Sequence, residues 1–545
     1  MNAVTRNILL LLAIFGGFWM RWDGLDWGRK SGVQFHRDEG RFVKQAYALD
    51  HDGALLKSYV FGFGEAIHIV HAIAPSRDYA RIGRGLSLAS GMLLLVVVFA
   101  LARVLKLGPN AAAVACALTS LNTMCVIHSH YGTADMAYVL LLYLFALVVL
   151  RGWIFIAAIV AGLAMATKFG IILVPSLIWL ACRRVFGRNP HRLKAGLQAV
   201  LLLLIATSVF LAAQGFTFDG KSIRMILLSA EQDEIGGFEH QKWQNIITYL
   251  GVSIRSLGIP VFVFAAIGCA RVFQAWRGSR STRDIDARSA TATLLIAFLP
   301  FALHAVGLLA INTVFPRHFL PLVPLLLIAA AYGIEKLPRL RAPAVTLCLG
   351  WSALLAWSDG RVFVEDPREK AYAWLRTRTD ISPAYVWSDS RFTIWRLSSK
   401  QQDVRDMWQL RFVVLSEAWT CRFERSEWNP LRAPNERQLY HVSPDAYFVY
   451  CGFKHLVVSD ALPERPAYET LARELHRLGT RAEYLLGPYN SCKYRREVFR
   501  AEPLKILPEQ ILYDAAWGSF EKLAGKCVVY DSVQTQIPTT RKSGS

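Results

Sequence analysis

The chain has 545 residues, of which 54% are apolar and only 19% are charged, and its mean hydropathy is +0.30. Soluble domains average about 45–50% apolar and about 25% charged residues. The composition therefore excludes a disordered chain, a nucleic-acid-binding arm and an ordinary soluble enzyme. It predicts a polytopic α-helical membrane protein, and the length leaves room for a second domain.

The net charge is unevenly distributed along the chain. It is +20 in total, from 61 basic and 41 acidic residues. Residues 359–545 contain 28 basic and 24 acidic residues, so 33 basic and 17 acidic residues belong to the first 358. The excess lies where basic residues flank apolar segments. Retention of cationic loops at the cytoplasmic face explains this pattern, and no nucleic-acid partner is expected.

Eleven apolar stretches are long enough to cross, or nearly cross, a hydrocarbon core of about 30 Å. All must be helical, because lipid cannot satisfy free backbone groups. We therefore predict a transmembrane domain over residues 1–358, in which a long outer loop at 21–80 carries interfacial helices. The stretches are Ile8–Trp19, Ile82–Leu105, Ala111–Ile127, Met136–Leu150, Trp153–Met165, Ile171–Ala181, Leu197–Ala213, Leu257–Ala270, Leu294–Ile311, Leu320–Ile334 and Ala344–Trp357.

Basic residues follow the even-numbered stretches and so give an orientation. Arg103 and Lys106 follow the second stretch, Arg151 follows the fourth and Lys336 follows the tenth. Because cationic loops stay in the cytoplasm, the N-terminus is predicted to be cytoplasmic and residues 359–545 to lie outside. We expect a multi-pass protein of a bacterial inner membrane, with its C-terminal domain in the periplasm or outside the cell.

The region 359–545 mixes strand-like and helical patterns, which predicts a small extracytoplasmic α/β domain. The strand-like runs are Ala384–Trp387, Arg411–Leu415 and His455–Val458, and the helical runs are Asp366–Arg376 and Pro466–Leu478. Four cysteines in an oxidising compartment can form two disulfides, with the pairing left open. These cysteines are Cys421, Cys451, Cys492 and Cys527.

Two adjacent acids, Asp38 and Glu39, begin an amphipathic pattern in the outer loop. The helix that it predicts lies in the membrane interface and holds both acids at its N-terminal end. An acid at a helix start is often only an N-cap, and the alternative is a general base that takes the proton of an acceptor hydroxyl. The predicted apolar face consists of Phe42, Val43, Ala46, Tyr47 and Leu49, and the polar face of Arg41, Lys44 and Gln45.

A third acid, Asp135, opens the fourth stretch and follows two histidines, His128 and His130. Their short loop lies on the same predicted membrane face as Asp38. Imidazoles and carboxylates together can bind a divalent cation such as Mg²⁺, Mn²⁺ or Zn²⁺. The spacing is not diagnostic of a metal, so hydrogen-bonded histidines in a site without any cofactor are the alternative.

Basic residues also gather on this outer face. Lys168 follows the fifth stretch, Arg317 and His318 open the tenth, and Arg84 lies near the start of the second. A cation near membrane depth is costly and marks a functional candidate, although a lysine can also extend its ammonium group to the interface. Arginine binds phosphate bidentately. We therefore predict a phosphate site formed by Lys168 and Arg317, with Arg84 as a weaker candidate.

The outer loop after the seventh stretch contains Glu239 and His240. Together with His128, His130 and His318 they can shape an acceptor or metal site, or they can simply be solvated. The outer face as a whole combines acids with cations, which is what transfer from a phosphate-linked donor requires. Nucleotide sugars are not supplied outside the cytoplasm, so the donor is expected to be linked to a lipid.

These residues resemble the C-type membrane glycosyltransferases, known as the GT-C superfamily. The similarity is greatest to the branch that contains protein O-mannosyltransferases and lipid A aminoarabinose transferases. The order and spacing of the matching runs across eleven stretches make the resemblance more specific than any single run. The runs are Asp38-Glu39, Asp135, Gly162–Lys168, Arg317–Pro324 and, in the C-terminal region, Arg411–Ser416, Arg422-Phe423 and Asn429-Pro430.

The resemblance implies a GT-C fold and an inverting transfer of a monosaccharide from polyprenyl phosphate. The acceptor is then a glycan, lipid or protein outside the cytoplasm. Asp38 matches the catalytic acid of the first loop, with Glu39 beside it, and Lys168 and Arg317 match the phosphate-binding residues. Some members of the family use a metal and others do not, so the resemblance leaves the cofactor open.

A transporter or lipid flippase with an outer binding domain is the rival hypothesis. A transporter is expected to have broken helices and polar groups near the membrane midplane. The apolar stretches contain few ionisable residues at that depth. His304 is the main one, and it can equally be a hydrogen-bonded packing residue.

Overall fold

The computed structural model describes the chain in fourteen segments, and these divide between two compact units. The first unit comprises Met1–Leu25, His36–Val364 and Lys505–Ala515, and the second comprises the remaining residues. The predicted division at 358/359 did not anticipate that Lys505–Ala515 belong to the first unit. The described segments are 2–28, 37–51, 62–75, 78–168, 170–186, 192–213, 242–279, 285–310, 316–377, 386–388, 412–416, 496–501, 504–517 and 527–531.

The first unit is helical, and each of the eleven apolar stretches falls mainly on helix where the structure describes it, with breaks inside the third and eighth stretches. Two 3₁₀ segments, Gly170–Leu173 and Pro316–Leu322, precede α9 and α14. The helices are α1 (Ala3–Trp22), α2 (Arg37–His51), α3 (Gly62–Ile73), α4 (Tyr79–Val104), α5 (Pro109–Ser120), α6 (Thr123–His130), α7 (Asp135–Leu150), α8 (Ile154–Thr167), α9 (Val174–Phe186), α10 (Arg192–Ala213), α11 (Lys242–Leu257), α12 (Ile259–Ser279), α13 (Ile285–Ala310), α14 (Val323–Glu335) and α15 (Arg341–Val364).

Several of these helices can cross a membrane by length and composition. In the described residues five segments qualify, and the number rises to seven if each of two bent helix pairs counts as one span. Other apolar stretches fall on shorter helices, α7, α8 and α9. The chain is thus a multi-pass helical protein, and the predicted total of eleven crossings stays a prediction. The five segments are Ala3–Trp22, Tyr79–Val104, Gly196–Ala213, Ala292–Leu309 and Pro316–Glu335.

The third apolar stretch, predicted as one helix, is bent by 48° between α5 and α6. The break has local causes. Asn122 accepts the backbone N–H of Cys125 at 3.1 Å and so caps α6. The fully buried Arg21 donates to the carbonyl oxygen of Ser120 at 2.6 Å and, more weakly, to that of Thr119 at 3.5 Å, both at the end of α5. Capping of both new ends compensates for the helical hydrogen bonds that the bend removes.

A second bend, of 115°, separates α11 from α12 at Gly258, whose φ is +80°. Only glycine adopts that backbone conformation without strain. Farther along, α12 packs closely on α14, because a side chain at Gly268 would collide with the carbonyl group of Ala329. Small residues at such contacts let membrane helices approach backbone to backbone.

The second unit contains helix α16 (Pro367–Thr377) and a four-stranded sheet of order β1-β2-β4-β3. The β1–β2 pair is parallel and the other two pairs are antiparallel. The first two predicted strand runs and the first predicted helix coincide with β1, β2 and α16. The strands are β1 (Val386–Ser388), β2 (Phe412–Ser416), β3 (Arg496–Ala501) and β4 (Cys527–Asp531). Predicted features outside the described residues are His455–Val458, Pro466–Leu478, Cys421, Cys451 and Cys492.

Candidate functional site

The predicted amphipathic helix is α2, and it packs with α3 on the starts of α4 and α7. The rings of Phe42 and Phe63 meet edge to face with centroids 5.2 Å apart, and Ala46 is fully buried. One part of the predicted polar face is wrong, because Gln45 is buried and packs against Gly64, whereas Tyr47 is half exposed. The buried face of α2, which packs against α3, therefore differs from the predicted face: it includes Gln45 and excludes Tyr47.

Glu39 forms a closed ion pair with Arg84 at the N-terminal end of α2. Its two carboxylate oxygens accept from Arg84 at 2.6 and 2.9 Å, and one also accepts the Gly132 N–H at 3.2 Å. Arg84 donates a further bond to the carbonyl oxygen of Leu25 at 2.9 Å. Both side chains are buried. The pair therefore holds the start of α2 against the loop that precedes Asp135.

Asp38 is the second residue of α2, directly before Glu39. Its backbone therefore lies at the helix end that the Glu39–Arg84 pair holds against Gly132. The side chain of Asp38 is outside the described part of the structure. Its predicted role as a general base stays a prediction.

Asp135 begins α7 and is the centre of a second ionic cluster. Its carboxylate accepts from the Lys168 ammonium group and, at 2.8 Å, from the Thr133 hydroxyl. His128 Nδ1 lies 3.9 Å from the carboxylate of Asp135. The positive charge of Arg317 also acts on this carboxylate. Asp135 is buried, whereas the Lys168 side chain keeps 19% of its surface exposed. Residues far apart in the chain thus meet at one carboxylate.

The tenth stretch begins as a 3₁₀ turn that carries Arg317 and His318. His304 Nε2 donates to the backbone carbonyl of His318 at 2.7 Å, so the mid-depth histidine is hydrogen-bonded. Tyr143 donates its hydroxyl proton to the Pro321 carbonyl at 2.9 Å and accepts the Leu325 N–H at 2.7 Å. These bonds fix the turn that places Arg317 near Asp135. No sequence pattern pointed to Tyr143, because an aromatic residue in an apolar stretch is usually a packing residue.

The remaining predicted metal or acceptor residues do not form a metal site in the described residues. No group of three or more histidine, cysteine, aspartate or glutamate side chains is arranged there to hold an ion. Both ring nitrogens of His130 lie 2.9 Å from backbone carbonyl oxygens, and its ring stacks on Phe363. The Lys168 ammonium group already occupies one oxygen of Asp135. Glu239 and His240 lie outside the described residues.

Sequence reasoning missed a cluster around Asp50, at the end of α2. Its carboxylate lies 2.5 Å from His68 Nδ1 and 2.8 Å from His71 Nδ1. Burial alone raises the pKa of Asp50, but hydrogen bonds from Tyr79 and His68 and the charges of His68 and His71 hold that pKa below its ordinary value of 3.8. The cluster ties α2 to α3 and α4. Its signal in the sequence was the i, i+3 spacing of the two histidines.

The candidate site lies at one end of the helical unit. Asp135 begins α7 and Lys168 follows the end of α8, so these two chain positions share one end. Arg103, Arg151 and Lys336 lie at the opposite ends of α4, α7 and α14. Basic residues mark the cytoplasmic ends of membrane helices. The placement of the site's end on the outer face stays a prediction.

Comparisons with known proteins find similarity in structure only. No family model and no curated protein sequence matches the chain. The oligosaccharyltransferase of Archaeoglobus fulgidus in the apo form aligns with 97% of this chain and 89% of its own, at 12% identity and a TM-score of 0.44. ArnT from Cupriavidus metallidurans bound to undecaprenyl phosphate aligns with 98% of this chain and 99% of its own, at 13% identity and a TM-score of 0.43.

A third match is archaeal oligosaccharyltransferase AglB from Archaeoglobus fulgidus in complex with an inhibitory peptide and a dolichol-phosphate. It aligns with 97% of this chain and 88% of its own, at 12% identity and a TM-score of 0.44. The matches cover nearly the whole chain, but their identities and TM-scores are too low to assign an activity. The function has to be argued from the side chains of the site.

Proposed function

We propose that this protein is a membrane glycosyltransferase that moves a monosaccharide from a polyprenyl-phosphate donor to an acceptor outside the cytoplasm. The observation that carries the proposal is the cluster of Asp135, Lys168 and Arg317 at one end of an apolar helical unit. Such a site suits a donor whose phosphate lies at the membrane surface and whose prenyl chain lies in lipid. The resemblance of the sequence motifs to C-type glycosyltransferases supports the same reaction.

The cluster brings two cations to one carboxylate. Lys168 and Arg317 both act on the carboxylate of Asp135, and the Lys168 side chain keeps 19% of its surface exposed. Asp135 fixes the ammonium group of the partly exposed Lys168, so little reorganisation is needed when a phosphate arrives. Preorganised cations beside a leaving group stabilise the charge that develops on it in the transition state.

The proposed reaction is a single in-line displacement. The acceptor hydroxyl loses its proton to the carboxylate of Asp38 and its oxygen forms a bond to the anomeric carbon. The bond from that carbon to the phosphate oxygen breaks, and the electron pair leaves with polyprenyl phosphate. Attack from the face opposite the phosphate inverts the configuration. Lys168 and Arg317 hold the leaving phosphate, and no step is assigned to a metal.

Glu39 acts in this scheme as a positioning residue. Its bonds to Arg84 and Gly132 hold the first turn of α2, which carries Asp38, beside the loop that carries Asp135. A carboxylate at a helix N-terminus is stabilised in its ionised form by the helix dipole. An ionised Asp38 is what a general base requires.

The first test measures binding and cleavage of the donor lipid. Purified protein in lipid nanodiscs is mixed with radiolabelled polyprenyl phosphate and, separately, with a panel of hexose- and pentose-loaded forms. We expect saturable binding and slow release of the sugar to water or acceptor. Lys168→Met should weaken binding at least tenfold, because it removes the exposed cation of the site. Lys336→Met, at the opposite end of α14, is the matched control and should bind normally.

Two outcomes reject the proposal. Equal binding by the Lys168→Met and Lys336→Met variants removes Lys168 from the phosphate site. Movement of the intact lipid between the leaflets of vesicles, without cleavage of any sugar in the panel, identifies the rival flippase instead.

A further inference from the structure

A segment of the C-terminal region has two polar side chains inside and most of its apolar side chains outside, with Leu507 as the buried exception. It comprises residues 506–512 and includes the start of helix α17 (Pro508–Trp517). Glu509 and Gln510 are 2% and 1% exposed, whereas Ile511 and Leu512 are 55% and 62% exposed. A helix docked on a soluble protein shows the opposite arrangement. In lipid, by contrast, apolar groups face outward and polar groups turn to the protein interior.

The amide group of Gln510 is satisfied within the helical unit. The amide nitrogen of Gln510 donates to the Ser358 hydroxyl at 2.5 Å and to the Asp359 carboxylate at 2.8 Å. The amide oxygen of Gln510 accepts the backbone N–H groups of Ile506 and Leu507, each at 2.9 Å. Asp359 in turn pairs with Arg255 at 2.7 Å. The segment is therefore fixed to α15 through a buried polar network.

The contact extends along α15 into its apolar stretch. Glu509 accepts the indole N–H of Trp351 at 2.5 Å, and Gln510 reaches Ser358. Trp351 and Ser358 are seven residues apart, which is about 10 Å along a helix axis. Trp351 lies inside the predicted span Ala344–Trp357, which is not among the five segments that qualify by length and composition. The start of α17 therefore lies beside this apolar stretch of α15, not beyond its end.

The outward apolar surface continues on the neighbouring helices. Leu354 and Trp357 of α15 are 45% and 47% exposed, and Ile259 at the start of α12 is 39% exposed. Exposed apolar residues of this kind on spanning helices face the acyl chains of lipids. Ile511 and Leu512 extend that surface.

We propose that residues 506–512 are embedded in the outer leaflet, where Ile511 and Leu512 contact lipid acyl chains. The occupant of this apolar face is thus the bilayer itself. The proposal concerns lipid contact alone and does not depend on the proposed enzymatic function.

The test is photocrosslinking of the unaltered, full-length protein in nanodiscs whose lipids carry a diazirine in the acyl chain. Trypsin cleavage after Lys505 and Lys522 releases one peptide, 506–522, that contains the segment. We expect lipid adducts on Ile511 and Leu512 and none on Glu509 or Gln510. The α10 peptide 195–221, which contains the exposed Leu201, is the control for lipid contact.

The peptide 371–376 of α16, in the second unit, is the control for background labelling. Adducts on 506–522 at a frequency within threefold of peptide 195–221 support the proposal. A frequency no higher than that of peptide 371–376, with normal labelling of 195–221, overturns it. Neither result needs a donor or an acceptor, so failure here is distinct from failure of the proposed transfer activity.

Discussion

Two buried acid–cation pairs in the helical unit differ in how completely their charges are matched. Glu39 and Arg84 form a two-pronged pair, a backbone N–H and a backbone carbonyl complete it, and both side chains are buried. Asp135 pairs with a lysine that is 19% exposed, and a second cation, Arg317, acts on the same carboxylate. Burial of an acid therefore does not distinguish the two pairs. The exposure of the cation does.

The difference separates a structural role from a functional one. A closed pair has no capacity left for a ligand, and loss of one partner leaves an uncompensated buried charge. An open pair, whose cation is partly exposed, can bind an anion without unfolding its surroundings. Arg84, which the sequence suggested as a phosphate ligand, has its charge matched by Glu39.

The largest expected effect is on stability, in the closed pair. Arg84→Met leaves Glu39 buried without its cation and should lower the free energy of unfolding by about 3–5 kcal/mol. Thermal loss of the monodisperse peak in size-exclusion chromatography measures it. The double variant Glu39→Gln/Arg84→Met removes both charges and should recover most of the loss. Equal stability of the single and double variants would contradict a closed ion pair.

The second-largest expected effect is on activity, and it concerns the open pair of Asp135 and Lys168. Lys168→Met should reduce sugar transfer about 100- to 1,000-fold, the usual cost of removing one preorganised group that stabilises the transition state. Its thermal midpoint should stay close to that of the native protein, because Lys168 is partly exposed. Steady-state transfer from the active donor lipid measures the rate, with Lys336→Met as the control. Retention of more than a tenth of the native rate would exclude Lys168 from the phosphate site.

Arg21 is a buried cation that donates to neutral oxygens, and it extends the comparison. Arg21 donates to the carbonyl groups of Gly17 and Ser120 at 2.7 and 2.6 Å and to the Ser129 hydroxyl at 3.2 Å. Arg21→Met should lower stability by about 2 kcal/mol, because the end of α5 loses its donor. Thermal unfolding in detergent measures the change, and Arg6→Met on the same helix is the control. Similar midpoints for both variants would show that the bend between α5 and α6 does not need Arg21.

The smallest effect concerns pH and the Asp50 cluster. Because the pKa of Asp50 is lowered from 3.8 in the folded protein, its stabilising contribution is complete above that value and is lost as the pH falls below it. His68, His71 and Tyr79 are the titratable groups that face it. We expect Asp50→Asn to lower stability by about 1 kcal/mol near neutral pH and to flatten the acid side of the stability profile. An unchanged profile between about pH 5 and pH 3 would contradict this assignment.

The sequence by itself determined the helical membrane character, the positions of the apolar stretches and the basic ends of the helices. Hydropathy and flanking charge are local properties, so they can be read in one short window at a time. The start of α2 at the acid pair was predictable for the same reason. The identities of Asp135, Lys168 and Arg317 as candidates came from charged residues at the ends of apolar stretches.

Only the tertiary structure decided which of these charges meet. Glu39 and Arg84 are 45 residues apart and Asp135 and Lys168 are 33 apart, and nothing local tells the closed pair from the open one. The packing of Lys505–Ala515 in the first unit could not be predicted from the sequence either. A short stretch that contains Glu509 and Gln510 has the composition of a soluble segment. The physical reason is that the role of an ionic or polar side chain depends on the residue that it contacts. The packing of distant helices decides which residue that is.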